Sequence, residues 1–292
     1  MKTQIPINVS LDLERTFHCG QTFRWHKKNG EWFGVVNGVP LILFHDQFKG
    51  VLHITSNTHE IQGEDLENGI IHYLGLNDSL QSIKENAMKR IEKSYPEFQS
   101  IFERIMDTTL GIRILRQDPW EMLVEYLLST QSNIATIKKR CECLVRVFPE
   151  NHVLLGEDSF YLFPSVEQLK TLDENHFRSM QFGYRSGWLK EMIETIDIKA
   201  FKALKQSTLE QKLDYLTRFS GVGYKVANCV ALFGFSDFRA FPVDVWISRF
   251  LNKYFELTGN SESLMYAGQE IFGRFCGYVQ EYIFYYIRTG CD

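Results

Sequence analysis

The spacing of apolar positions changes about a quarter of the way along the chain. Up to about residue 80, apolar residues alternate in short runs between turn signals, the pattern of half-buried strands. The clearest runs are 32–36 (WFGVV), 39–45 (VPLILFH) and 51–55 (VLHIT). Asn29-Gly30, Asn37-Gly38 and a loop over 46–50 punctuate them, which predicts an antiparallel meander. From about residue 78 the apolar positions recur at helical spacing. Asn77-Asp78-Ser79 reads as an N-cap region. Helices are expected over 79–92, 96–107, 117–131, 133–148, 166–173, 185–196, 207–219, 224–234, 243–257, 261–273 and 276–288. There is no internal repeat, low-complexity stretch or long linker. The fold class expected is α+β: a small antiparallel sheet domain with flanking helices over 1–108, then a mostly helical body over 109–292.

Composition narrows the function classes. The chain has 292 residues, 44% of them hydrophobic and 14% aromatic, enough to build a sizeable core. No apolar run reaches the ~18 residues that a membrane helix needs. The start, MKTQIPINVS, lacks a signal-peptide core, so a cytoplasmic protein away from membranes is expected. The net charge of −4 argues against coating nucleic acid by bulk charge but leaves room for a local footprint. Cysteines 19, 141, 143, 229, 276 and 291 form no secreted-type framework and are expected reduced. Cys141 and Cys143 have no second pair to complete a zinc or iron–sulfur ligand set.

Candidate chemistry lies in residues 216–230, LTRFSGVGYKVANCV. A helix opening with a capping-box-like Ser207/Glu210 pair leads into Ser220-Gly221-Val222-Gly223, and another helix follows. Gly221 and Gly223 suit a plain turn between helices, and equally a backbone cradle for a phosphate at a helix N-terminus. Lys225 sits in the first turn, the wrong end of the macrodipole for a cation. Its helix is so apolar that the lysine is expected to be buried, which is costly without a partner or a task. Downstream, Pro242-Val243-Asp244 places Asp244 at the start of a helix, where a capping role keeps a carboxylate ionised.

GVGYKVA followed by PVDVW resembles the helix–hairpin–helix, Gly-Pro-Asp superfamily of DNA base-excision glycosylases, and the lysine resembles that of its bifunctional glycosylase/lyases. The resemblance implies that the motif over 207–234 grips the DNA backbone through Gly221 and Gly223. It implies that Lys225 is the nucleophile and that Asp244, in the 242–244 segment, assists it. The chemistry suits these groups. Burial and the positive helix end both disfavour an ammonium, favouring the amine that attacks C1′. An ionised Asp244 stabilises charge developing on the sugar. A Schiff base and β-elimination then nick the strand.

Residues 19–25, CGQTFRW, resemble the lesion-pocket segment of eukaryotic-type 8-oxoguanine DNA glycosylases. Gly20 matches the glycine whose carbonyl meets N7, a donor in the oxidised base and an acceptor in guanine. On the last helix, Gln280 and Phe284 are four apart and share a face, which suits a core aromatic beside a polar edge residue equally well. The resemblance implies that Gln280 bonds the flipped base's Watson–Crick edge, that Phe284 stacks on one side, and that Cys229 stacks on the other. Gln131-Ser132-Asn133 matches the loop that fills the hole left by the base. In FGYRSGWL (182–189), Tyr184 matches a wedge and Arg185 a contact to the orphaned base.

Three positions depart from the family pattern. Thr136 stands where a second cytosine-reading arginine is usual, Gln131 replaces an asparagine, and Trp246 replaces a phosphate-contacting histidine. Weaker selectivity for cytosine opposite the lesion is expected. The resemblance further implies a TBP-like sheet domain, double-stranded DNA carrying 8-oxoguanine as partner, a monomer, and no cofactor or catalytic metal, with a structural cation at the hairpin carbonyls an open option. Two other readings stand beside it. One is a glycosylase for another lesion, against which Gly20 and Gln280 favour a purine with an N7 proton. The other is a non-catalytic helix–hairpin–helix DNA-binding protein, which needs the hairpin but not Lys225, Asp244 or Gln280.

Overall fold

The computed structural model describes residues 1–61 and 63–290. Cys291 therefore lies outside the described residues.

Five strands form one antiparallel sheet: β1 (Lys2–Pro6), β2 (His26–Lys28), β3 (Glu31–Val36), β4 (Val39–Asp46) and β5 (Val51–Ser56), in the order β1-β5-β4-β3-β2. The register aligns Trp32 with Leu43 and Leu43 with Ile54, so one face presents a buried apolar row. The expected meander is β3 to β5. The flanking strands carried little signal: β1 is short and ends in proline, and β2 is His-Lys-Lys, exposed throughout. The expectation of strands alone before residue 80 is corrected by two helices, Leu13–His18 and Leu66–Tyr73. Both are too short to declare a 3.6 period. Their visible signal was the cap: Asp12 accepts from the Arg15 N–H at 2.9 Å and Asp65 from the Asn68 N–H at 3.0 Å.

The helical expectations hold with trimmed ends. Ser79 caps the Leu80–Ser94 helix. The segment expected over 117–131 is the Pro119–Leu128 helix, started by the Asp118 cap; past it the chain turns out through Gln131 at φ 47°. The expected Ser207/Glu210 box is corrected to Thr208/Gln211, whose side chains satisfy each other's backbone N–H groups and open the Leu209–Leu216 helix. The helix expected over 224–234 is α-helical over Tyr224–Cys229 and then widens into a π turn over Val230–Gly234. Elements not anticipated are a hairpin of His152–Leu155 with Asp158–Tyr161 and the short helices Glu174–Ser179 and Ile198–Ala203. Leu155 and Phe160 of that hairpin pack on Phe33 of the sheet.

One apolar cluster lies between the sheet and the Leu66–Tyr73 helix. A larger one surrounds the Cys276–Arg288 helix and takes in Cys19 and Phe23 from the N-terminal segment. The segment after the first helix is thus inserted among the body's helices. Gln21 pins it there: buried, it donates to the Arg113 carbonyl at 2.7 Å and accepts from the Leu115 N–H at 2.8 Å. Arg113 itself is buried and donates to the carbonyls of Ser10, Gly75 and Asp78, closing the seam. Among the described residues no helix is long and apolar enough to cross a membrane.

Candidate active site

The turn between the Leu209–Leu216 and Tyr224–Cys229 helices is shaped by one glycine. Gly221 has φ 82°, and a Cβ there would overlap the Trp188 ring. Gly223 is different: it caps the second helix from extended backbone, is exposed, and has open space around it. Lys225 follows two residues later. It is half-buried rather than buried, with Nζ 5.1 Å from the centroid of the Tyr126 ring. The lysine that burial does claim is Lys212, 4% exposed and 2.8 Å from Asp237 Oδ2.

Asp244 caps the Val245–Phe255 helix as expected, its Oδ1 accepting from Trp246 and Ile247 N–H groups at 2.9 Å each. The cap bonds alone do not set its affinity for a proton. Burial pushes the carboxyl above its ordinary value, and the cap bonds and the Lys225 charge oppose this without reversing it. Cys229, one turn after Lys225, is buried; burial pushes its thiol up to about 11, against the nearby Lys225. Trp246 lies partly exposed beside the Arg249 guanidinium.

Gly20 has φ 112°. A Cβ built on it would lie 3.3 Å from both Phe284 Cε1 and Arg288 Nη1, so the backbone is pressed against the last helix. Its carbonyl accepts from the Tyr126 hydroxyl at 3.3 Å. Gln280 is buried on the same helix, and its Oε1 has no hydrogen-bond partner. Phe284 is half-buried under the Arg288 guanidinium, 5.3 Å away. Lys225, Cys229, Asp244, Gly20, Gln280 and Phe284 come from four separated stretches: Lys225 and Gly20 both touch Tyr126, Phe284 lies against Gly20, and Cys229 and Asp244 lie within electrostatic reach of Lys225. Tyr126 and Glu281 escaped the sequence reading, because each looks like one more residue of an amphipathic helix.

A second group stands apart from these. Gln131, Tyr184 and Arg185 come from two loops and touch: the Tyr184 hydroxyl donates to Gln131 Oε1 at 3.2 Å, and Arg185 Nε donates to the Thr130 carbonyl at 2.9 Å. Arg185 is 4% exposed and its guanidinium is spent on loop carbonyls, with the Tyr184 ring 4.3 Å away. Tyr184 is exposed and meets Trp188 edge-on at 4.8 Å, and Trp188 underlies Gly221. Trp188 thus links the Tyr184 loop to the hairpin turn. Asn133 caps the Ile134–Val145 helix, accepting from the Thr136 N–H at 2.9 Å.

Comparison with known proteins fits this arrangement. The family profile for the 8-oxoguanine DNA glycosylase N-terminal domain matches residues 4–123. The N-glycosylase/DNA lyase OGG1 of Arabidopsis thaliana is 27% identical over 258 residues, covering 85% of this chain and 67% of that protein. A probable N-glycosylase/DNA lyase of Methanothermobacter thermautotrophicus is 26% identical, covering 98% of this chain and 96% of its own. Among solved structures, the Clostridium acetobutylicum 8-oxoguanine glycosylase/lyase, in complex with double-stranded DNA containing cytosine opposite 8-oxoguanine, superposes with a TM-score of 0.84. It is 26% identical, and the match covers 100% of this chain and 99% of that one.

Residues 4–123 thus match the 8-oxoguanine DNA glycosylase N-terminal domain, and the chain along nearly its whole length is similar to N-glycosylase/DNA lyases. The sheet and helical body described above superpose on that solved structure over the whole chain. Among the described residues no group of three or more His, Cys, Asp or Glu side chains is arranged to hold a metal ion.

Proposed function

We propose that this glycosylase excises 8-oxoguanine from double-stranded DNA and then nicks the strand, with Lys225 as nucleophile and Asp244 as its partner. The meeting of Lys225 and the Gly20 carbonyl on Tyr126, with Asp244 at a helix start within electrostatic reach of Lys225, carries the reading. The lesion must leave the stack to be reached. In the pocket, the Gly20 carbonyl accepts from the N7 proton of the oxidised base and meets a lone pair in guanine, a difference of about 1–3 kcal/mol. The unsatisfied Oε1 of Gln280 supplies an acceptor for the base edge, and Phe284 and Cys229 supply its two faces.

The Lys225 amine attacks C1′. The C1′–N bond breaks, the base departs with its electron pair, and Asp244 offsets the charge on the sugar. Ring opening gives the Schiff base, and loss of a C2′ proton with the 3′ phosphate leaving completes β-elimination. These steps run on an amine and a carboxylate and call for no cofactor; a cation at the hairpin carbonyls would serve only the grip on the DNA backbone. Gly221, Gly223, Gln131, Asn133, Tyr184 and Arg185 face the duplex in this reading, and a monomer suffices, working in the cytoplasm or nucleoid where DNA lies. With Thr136 in place of an arginine, selectivity for the opposite base is relaxed.

Borohydride trapping tests the proposal. A duplex with one 8-oxoguanine should give a covalent protein–DNA adduct that is absent with guanine and lost in Lys225→Gln. Tight binding without an adduct would instead make this a DNA-binding module.

A further inference from the structure

Two adjacent side chains of the Cys276–Arg288 helix carry a buried oxygen with no hydrogen-bond partner, Gln280 Oε1 and Glu281 Oε1. Gln280 has a place in the base pocket; Glu281 has none so far. It is 3% exposed, and a buried carboxyl without full hydrogen bonding is unfavourable unless it has another use. Glu281 precedes Phe284 by three positions and Arg288 by seven, which puts all three on one face of the helix. That face meets Gly20, since a Cβ there would lie 3.3 Å from Phe284 and Arg288.

Several elements bring ionisable groups within electrostatic reach of Glu281. The N-terminal segment brings the Cys19 thiol, the hairpin helix brings Lys225 and Cys229, and the next helix start brings Asp244. The Pro119–Leu128 helix brings Tyr126, and its own helix adds Tyr282 and Arg288. Each lies within electrostatic reach of Glu281, whose unpartnered oxygen is buried beside Gln280 on the helix that packs on Gly20. Burial pushes its carboxyl up to about 7; Cys19, Arg288 and Lys225 oppose that rise, and Asp244 adds to it.

The chemistry above needs an amine, and lysine arrives as an ammonium. Asp244 is a poor acceptor for that proton, because its Oδ1 already takes two cap bonds and its charge is needed at the sugar. We propose that Glu281 is the internal proton acceptor for Lys225 once DNA has closed the site. The proton moves from Lys225 Nζ to the Glu281 carboxylate, leaving an amine and a neutral acid while Asp244 stays ionised. The three groups sum to one negative charge before and after, so no ion need cross the covered site. Two opposite charges disappear in a low-dielectric pocket, which burial favours. The proton stays on Glu281 while the base departs with the electron pair of the broken C1′–N bond and takes a proton from water, and it returns to solvent when the DNA is released. Glu281 acts through Lys225, and the proposal rests on the glycosylase reading.

The test is the pH profile of single-turnover excision on an 8-oxoguanine duplex, for wild type, Glu281→Gln and Glu281→Asp. Wild type should rise through neutral pH and level off. Glu281→Gln should lose on the order of 100-fold near neutrality and recover only at alkaline pH, where solvent takes the proton. Glu281→Asp should restore part of the rate. Duplex affinity, measured in a Lys225→Gln background, should be unchanged. A folded Glu281→Gln protein with the wild-type profile overturns the proposal, as does an equal loss at every pH accompanied by weakened binding. If Glu281→Gln does not fold, carbon-13 titration of the glutamate carboxyls in wild type and Lys225→Met decides: the Glu281 midpoint must move, and an unmoved midpoint overturns the proposal. Absence of excision by wild type itself would bring down the glycosylase reading, a distinguishable outcome.

Discussion

Lys225 and Tyr126 face each other across the site, with Nζ 5.1 Å from the ring centroid, and the hydroxyl of that same ring donates to the Gly20 carbonyl at 3.3 Å. One side chain therefore touches both Lys225 and the Gly20 carbonyl, the proposed nucleophile and the proposed reader of the lesion. Burial pushes the phenol well above its ordinary value, so it remains a donor. Tyr126→Phe keeps the ring under Lys225 and removes only the hydroxyl. Preference for 8-oxoguanine over guanine should fall by a few-fold, in line with a hydrogen bond of about 0.5–1.5 kcal/mol. Tyr126→Leu also removes the cation–π contact, about 0.5–2 kcal/mol, and should slow adduct formation further. An unchanged ratio of single-turnover rates in Tyr126→Phe would show that the hydroxyl does not orient the carbonyl.

The two hairpin glycines should separate stability from DNA binding. In Gly221→Ala the new Cβ would overlap Trp188 and approach Leu127 Cδ1 to 2.9 Å, at a φ of 82° that alone costs about 1–2 kcal/mol. The melting temperature should drop by several degrees. Gly223→Ala has open space and an ordinary φ of −85°. It should melt within a degree or two of wild type while binding duplex DNA more weakly, because the methyl group would stand between the exposed turn and a phosphate. Equal melting losses in both variants would contradict this division.

Stability should depend on acid through Asp237. It accepts from Lys212 at 2.8 Å and from Arg239 Nη2 at 2.9 Å. Burial pushes its carboxyl up, but the Arg239 and Lys212 hydrogen bonds outweigh burial and hold it below the ordinary 3.8. A folded value below the unfolded one means the contribution is fully present above about pH 4 and lost as pH falls through the folded value. Asp237→Asn leaves Lys212 buried without its counter-charge and should cost about 3–5 kcal/mol near neutrality. The deficit against wild type should shrink in acid, and a deficit independent of pH in chemical denaturation would refute it.

Opposite-base selectivity should respond to Thr136, which follows the Asn133 cap by three residues and lies in the first turn of the Ile134–Val145 helix. Arg185 is already engaged with the carbonyls of Thr130 and Phe182 and can turn to an orphaned base only by giving those up. Thr136→Arg supplies a second guanidinium and should raise the preference for cytosine opposite the lesion, by about 1–3 kcal/mol if it reaches the base edge with a bidentate pair of hydrogen bonds. Wild type should excise the lesion at similar rates opposite all four bases. Strict dependence on cytosine in wild type would count against the relaxed-selectivity reading.

Local signals carried a large part of this protein. The change from alternating to helical spacing near residue 78, the Ser79 and Asp244 caps, and the Gly221–Gly223 turn are all short-range features, and each depends on residues a few positions apart. They determined the sheet-then-helix order and the setting of Lys225 at a helix start. Burial was another matter, because it depends on which distant segments come to lie over a side chain. Lys212 and Lys225 look alike in sequence, yet tertiary packing buried the first against Asp237 and left the second half-open over Tyr126. Arg185 reads as a surface residue until the Thr130 carbonyl folds over it. Glu281 reads as the polar neighbour of Gln280 until the Cys19 segment, the hairpin helix and the Asp244 cap close around it and remove the water that would have solvated its charge.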